Sequence, residues 1–394
     1  MKKKEVFIIS AIRTPFGSFG GVFSNLSATK LGSEAIIGVL KKSNLNPKNI
    51  NEVFMGNVCS ADLGQAPARQ AALGAGIPDT VPCTTINKVC SSGAKSIMLG
   101  SQSILLGQCD IVIAGGMENM SRVPYYIPKA RYGYKYGNSE LIDGLHKDGL
   151  LDPFSELSMG VFADKTAEKY NISRQQQDEF AIRSYKNSAH SNNSGIFANE
   201  LVEVSITQKN GEQLLINKDE EYKNVNFEKI PKLKAAFSKN GTVTAANSST
   251  MNDGASALIL ASAEAIKKHN LSPIAKILSF ADSAHAPEWF TTAPTKAAPK
   301  ALKIAKMTTD DVDYFEVNEA FSVVPLAFNK ILDIDINKVN VHGGAVSLGH
   351  PLGASGARIV ATLSNVLKTR DATIGCASIC NGGGGASSIV IERV

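Results

Sequence analysis

No stretch of this sequence approaches the ~20 consecutive apolar residues that a membrane helix needs. The opening MKKKEVFIIS has lysines, but its apolar run is too short for a signal-peptide core. The closing Ile-Glu-Arg-Val matches no peroxisomal or retention address. A cytoplasmic protein without membrane contact is the expectation. Six cysteines are present, at 59, 83, 90, 109, 376 and 380, yet none form a C-x-x-C pair and no histidine pair lies nearby at zinc spacing. That excludes a structural zinc site, and in a long chain with no signal peptide it also argues against a disulfide framework. Most of these cysteines should be buried small hydrophobes. There is no dense block of positive charge either. The nearest candidate, PKARYGYKYG at 128–137, comes with no recognition motif, so nucleic acid is not an expected partner. The net charge of +5 permits an anionic substrate without requiring one.

What is present fits an ordinary globular protein: 43% apolar and 20% charged residues in a chain of 394, enough for two or three domains. The chain repeats itself. CSSGAKSIMLGSQSILLGQCDIVIAGG, from 90, lies on GASGARIVATLSNVLKTRDATIGCASI, from 353, without a gap. Ser-Gly-Ala-Lys (92–95) then falls on Ser-Gly-Ala-Arg (355–358), and the apolar run 111–114 on 374–377. Upstream, VFMGN at 53–57 matches YFEVN at 314–318, and VFIIS near the start matches KILSF at 276–280. Four matches in series predict two related halves.

Buried strands are expected at EVFII, EVFMG and DIVIAG in the first half and at AKILSF, YFEVN and ATIGCASI in the second, with ASSIVIE (386–392) last. Helices are expected at 28–42, 93–107, 295–306 and 355–368. Alternating strands and helices predict a mixed sheet covered on both faces in each half. The first half spans 1–120 and is completed by about 246–271; the second spans 272–394. Between them, 121–245 reads as an insertion with helices at 156–170 and 173–192 and a hairpin around Lys209-Asn210-Gly211. Such an insertion over a rigid core is where substrate contacts are often made.

Four segments at strand ends or helix starts stand out: NKVCSSG (87–93), VNEAF (317–321), GGAVSLGHPLGASGA (343–357) and CNGGGGAS (380–387). Cys90 precedes a helix whose first amides would favour thiolate; on its own it reads equally as a buried small residue at a strand–helix junction. His350 sits in a glycine-rich loop that the repeat places opposite the Cys90 loop, where a neutral imidazole can take a thiol proton or be structural. Asn318 ends a strand and corresponds to Asn57; it is a turn former or a donor to an oxyanion. Cys380 opens a run of four glycines whose amides can approach a ligand closely.

These motifs, the doubled α/β halves and the insertion together resemble the thiolase family over essentially the whole chain. GGMENMS (115–121) and NSSTMNDGASA (247–257) are thiolase-like too, and EWFTTAP (288–294) with VNVHGGAVSLGHPLG (339–353) places the likeness closest to the family's cytosolic short-chain branch. The resemblance implies an α/β fold of two pseudo-symmetric βαβαβαββ halves in a five-layer αβαβα sandwich, with the insertion as a loop domain for CoA binding and tetramer contacts. It implies reversible condensation of two acetyl-CoA to acetoacetyl-CoA plus CoA, by ping-pong through S-acetyl-Cys90.

In that scheme His350 activates Cys90 and holds one oxyanion with Asn318 through a water. Cys380 exchanges the α-proton, and the amides of Cys90 and Gly382 form the second oxyanion hole. The implied CoA pocket is Leu150, Met159, Phe237, Ala245, Ser249, Phe290, Ala320 and Phe321. CoA is substrate and product, and no other cofactor is required. Some relatives bind potassium at positions matching Tyr185, Ala245, Ala246, Ser248 and Val346; Tyr185 reads equally as helix packing. Where many short-chain relatives have His-Met-Gly, this chain has Ser158-Met159-Gly160, which removes a pocket histidine. The implied assembly is a homotetramer, a dimer of dimers. A thiolase for longer 3-ketoacyl chains and a non-catalytic acyl-CoA or lipid carrier are the alternatives. The second cysteine argues against a decarboxylating synthase of the same fold.

Overall fold

The computed structural model describes residues 4–208 and 210–394, so Lys209 of the expected hairpin turn lies outside the described residues. The hairpin strands themselves pair antiparallel, Val204 opposite Ile216. The first half contributes β1 (Val6–Arg13), β2 (Glu52–Gly56), β3 (Cys83–Ile86), β4 (Ile111–Asn119) and β5 (Asn252–Ser262). The second contributes β6 (Ala275–Ala284), β7 (Tyr314–Val317), β8 (Ile374–Asn381) and β9 (Gly385–Arg393). Their hydrogen-bonded order is β7-β8-β9-β6-β1-β5-β4-β2-β3. Each half has the same plan: β2 is parallel to β4 as β7 is to β8, and the closing strands β5 and β9 run antiparallel to their neighbours. In the second half the strand matching β3 has shrunk to one bridge, Phe315 to Val339. The halves also share hydrogen bonds. β1 and β6 pair antiparallel over three residues, Val6–Ile8 against Ile277–Ala275, so the two expected sheets are continuous at that edge.

The helices explain why the sheets still make separate layers. α1 (Ala28–Ser43) and α2 (Pro67–Gly74) cover the outer face of the first half. Ser27 starts α1 by accepting the amide of Lys30, and Asn44 ends it in the left-handed region. α6 (Pro294–Ile304) and α7 (Val323–Leu332) cover the outer face of the second half. α3 (Ser92–Leu105) and α8 (Leu352–Thr369) lie between, sharing one apolar core with strands from both halves. α8 is buried without a break from Leu352 to Leu367, as a helix enclosed by two sheets must be.

The α3–α8 crossing requires glycine: a Cβ on Gly356 would stand 2.3 Å from the amide nitrogen of Ala94, and one on Gly93 2.7 Å from that of Ala357. Because Cys90 and His350 lie just before these helices, the crossing sets their spacing.

The insertion carries α4 (Met159–Lys169) and α5 (Arg174–Asn193). It is riveted to β1 through Arg13, fully buried, which donates to Glu200 at 2.6 Å and to Asp219 at 2.6 and 3.0 Å. Removing one partner of such a buried pair typically costs about 3–5 kcal/mol.

Candidate active site

Cys90 sits between β3 and α3 in a loop held from several sides. The amide of Lys88 donates to Ser92 Oγ at 2.8 Å and that of Val89 to Asn87 Oδ1 at 3.0 Å. Lys88 Nζ reaches Asp282 and Ser387 of the other half at 2.6 and 2.8 Å. Val89, immediately before the cysteine, is held at φ 48°, a costly conformation for a β-branched residue. The backbone amides of Gly382 and of Cys90 itself lie near the Cys90 sulfur and favour its thiolate. Burial outweighs them and pushes the thiol up to about 12. The thiolate expected from the helix start is therefore not the resting form: desolvation of a charge here exceeds what two amides return.

His350 follows Gly349, whose φ of 105° and whose approach to Asn252 (a Cβ would meet it at 2.2 Å) admit only glycine. The amide of His350 donates to Asn252 Oδ1 at 3.0 Å. Its Nδ1 lies 2.6 Å from Ser355 Oγ, and the Ser355 hydroxyl donates to Pro351 O at 2.9 Å. With that proton committed, Ser355 can only accept from the ring, so Nδ1 carries the hydrogen and Nε2 the lone pair. Nε2 is buried without a partner among the described residues, and His350 lines a cavity. Burial, with a contribution from the Arg358 charge, lowers its pKa to about 3.

Cys380 is the penultimate residue of β8 and fully buried, and burial together with the nearby Cys90 pushes its thiol far above the usual range. The following turn has Gly383 and Gly384 at φ 80° and 83°, which turns β8 into β9. Asn318 continues β7, its amide donating to Ser378 O at 2.9 Å, two residues before Cys380. Its Oδ1 accepts from Arg358 at 3.2 Å, while its Nδ2 is buried and has no partner among the described residues.

A cavity of about 620 Å³ opens beside His350. Leu150, Met159, Phe237, Ala245, Ser249 and Phe321 line it, as does His350. Two residues of the expected CoA pocket do not. Phe290 is buried behind Phe321, ring edge to face at 6.4 Å, and Ala320 contributes its carbonyl, which accepts both the amide and the hydroxyl of Ser249. Cys90 shares an apolar cluster with Met120, Leu150 and Leu352, all three of which line the cavity.

Of the positions matched to potassium, Ala245 and Ser248 line the cavity, and Tyr185 packs with Val346 in a neighbouring cluster. Ala246 is half-buried beside them. Position 158 is a serine, and a histidine from a nearby segment, His146, lines the same cavity with its Nε2 3.5 Å from Ser158 Oγ. Phe19, Met120, Met251 and Leu352 also line it. Met120, Met251 and Leu352 lie in the motifs GGMENMS, NSSTMNDGASA and VNVHGGAVSLGHPLG, whereas no motif covers Phe19, and only the fold brings the four separate segments to one wall.

The chain matches the family models described as "Thiolase, N-terminal domain" over residues 6–264 and "Thiolase, C-terminal domain" over 271–393. It is 55% identical over 395 residues, covering all of both chains, to a protein of Schizosaccharomyces pombe named acetyl-CoA acetyltransferase. A zebrafish (Danio rerio) protein named "Acetyl-CoA acetyltransferase, mitochondrial" is 55% identical over 99% of this chain and 92% of its own length. A crystal structure of the Acat5 thiolase of Ascaris suum in complex with coenzyme A superposes with a TM-score of 0.94 at 45% identity, over 99% of this chain and 100% of that one.

Proposed function

The chain belongs to the thiolase family, and from that premise we propose how its two cysteines divide the labour of an acetyl-CoA acetyltransferase. The observation that carries the assignment is a cysteine sulfur with the Gly382 and Cys90 amides near it and a second buried thiol, Cys380, beside it.

His350 Nε2 takes the Cys90 proton as the sulfur attacks the thioester carbonyl. The transfer belongs to the attack itself, because a thiol near 12 and an imidazole near 3 do not form an ion pair at rest. The two amides hold the oxygen of the tetrahedral adduct, each donor contributing about 2.7–4 kcal/mol in comparable sites. When the carbon–sulfur bond to CoA breaks, Cys380 protonates the departing sulfur and is left as thiolate opposite protonated His350. That thiolate removes the α-proton of a second acetyl-CoA, whose enolate oxygen is held by His350 and by Asn318 through a water. The enolate carbon attacks S-acetyl-Cys90, acetoacetyl-CoA forms, and Cys90 leaves with the proton from His350. Protons balance over the cycle, and each step is reversible.

The expected pocket residues, with Phe290 and Ala320 behind the wall, take the pantetheine arm, and residues 121–245 form the CoA-binding and tetramer-contact domain between halves at 1–120 (with 246–271) and 272–394. Carbonyls of Ala245, Ala246, Ser248 and Val346 with the Tyr185 hydroxyl would hold potassium, which would firm this wall. Burial raises the pKa of Tyr185, with further contributions from Glu221 and Glu319, two acidic groups whose proximity suits a cation. The cytoplasmic setting and the homotetramer stay with this reading; cell fractionation tests the first, since the zebrafish relative is named mitochondrial, and light scattering the second.

The test is CoA-dependent loss of acetoacetyl-CoA absorbance. Cys90→Ala should abolish it, and unchanged turnover in that variant sinks the mechanism. Cys380→Ser should still become acetylated at Cys90 but condense at least 10²-fold more slowly. A series of longer 3-ketoacyl-CoA substrates, with sodium in place of potassium and with Tyr185→Phe, reads chain length and cation dependence.

A further inference from the structure

The two halves carry the same asparagine in opposite settings. In the first half Asn57, just after β2, is saturated: its Nδ2 donates to Met117 O at 3.1 Å and to Glu118 Oε1 at 2.9 Å, and its Oδ1 accepts from Ser60 at 2.5 Å. In the second half Asn318, just after β7, meets a cation. Arg358 Nη2 donates to its Oδ1 at 3.2 Å and Nη1 to Glu316 Oε1 at 2.7 Å. All three side chains are buried. An asparagine amide can be turned end for end at little intrinsic cost, but a guanidinium has no acceptor. Whatever faces Arg358 must therefore be the oxygen, and Nδ2 is left on the opposite side, buried and without a partner among the described residues. A carboxylate beside Asn57 captures its NH2 group; a guanidinium beside Asn318 leaves that group free. The sequence repeat marks the same divergence. Position 358 corresponds to Lys95, which reaches out to Asp282 at 2.8 Å in a partly exposed pair.

We propose that Arg358 is a positioning residue: held by Glu316, it fixes the Asn318 amide so that Nδ2 is presented to the oxyanion of the second, enolising acetyl-CoA. This rests on the reading above, in which Asn318 serves that oxyanion and the amides of Cys90 and Gly382 serve the acyl group on Cys90. It follows that the amide orientation set by Arg358 matters for one half-reaction and not for the other. Without the guanidinium the amide samples both orientations, and in one of them an oxygen faces the developing negative charge.

Arg358→Met alone would strand Glu316 as a buried unpaired charge, so the substitution is made together with Glu316→Gln, and Arg358→Lys keeps the ion pair while losing the planar fork. Two rates are read on the full-length enzyme. One is the burst of CoA released as Cys90 is acetylated; the other is exchange of acetyl-CoA methyl protons in D2O alongside condensation. For Glu316→Gln/Arg358→Met we expect the burst within about threefold of wild type and both exchange and condensation down about 10²-fold, the effect of one lost oxyanion donor. Arg358→Lys should show the same split with a smaller loss. In an Asn318→Ala background the paired substitution should cost nothing further.

An equal loss in both half-reactions, full exchange in the paired variant, or an additive loss on top of Asn318→Ala overturns the proposal. If the paired variant does not fold, Arg358→Lys decides by the same split. Absence of any burst from the wild-type enzyme would instead refute the underlying thiolase reading.

Discussion

His350 Nδ1 lies 2.6 Å from the hydroxyl oxygen of Ser355, whose own proton goes to the carbonyl of Pro351, so one serine decides which imidazole nitrogen is the base. Ser355→Ala removes the acceptor, leaves a buried N–H unpaired and releases the tautomer. Such a loss is about 1–3 kcal/mol, which translates into a fall of roughly 5- to 150-fold in the rate of Cys90 acetylation. Rapid-quench measurement of CoA release checks it. An unchanged acetylation rate means that the ring is oriented by something else.

Burial of His350 also predicts a pH effect on stability. Its pKa is about 3 in the folded chain against an ordinary 6.5. Between those values the unfolded chain binds a proton that the native one refuses, so this contribution is complete above pH 6.5 and is lost as pH falls toward 3. The slope is roughly 1.4 kcal/mol per pH unit inside that window. His350→Gln lacks it. The denaturation midpoint of wild type should fall relative to His350→Gln as pH drops from 7 to 5, and parallel curves would contradict the assignment.

The cavity wall gives a binding prediction. A Cβ on Gly160 would stand 2.2 Å from the ring of Phe237, which meets Phe321 edge to face at 5.9 Å. Gly160→Ala must displace that ring. KM for acetyl-CoA should rise about tenfold, the equivalent of one to two lost methylene contacts, while kcat changes less than threefold. Steady-state kinetics separate the two; a fall in kcat at constant KM would place Phe237 away from the bound substrate.

Gly356→Ala tests the scaffold. Its Cβ would fall 2.3 Å from the backbone nitrogen of Ala94, which cannot swing aside as a side chain can. Separating α3 from α8 should destabilise the chain by at least the ~1–3 kcal/mol typical of core overpacking. Because the same crossing spaces Cys90 from His350, acetylation should slow even in the folded fraction. A variant with wild-type stability and acetylation would show that the helices can part freely.

Much of this was legible in the residues. The gapless match of 90–116 to 353–379 stands for real equivalence: α3 pairs with α8, and β4 with β8. Strand runs such as DIVIAG and helix runs such as 355–368 are local patterns of apolar spacing, which the chain carries wherever it folds. The candidate residues Cys90, His350, Asn318 and Cys380 came from motif and repeat together.

What the residues could not carry is everything that depends on which groups surround a side chain. The helix start promised a thiolate at Cys90, and desolvation in a fold of two enclosing halves overrode it. Asn57 and Asn318 occupy the same place in the repeat, and only packing sets Glu118 against one and Arg358 against the other. His146 and Ser158 come together at one cavity across a turn that no periodicity describes. The pattern of strands and helices is written in local spacing, whereas charge state, tautomer and amide orientation are set by burial and by partners far along the chain.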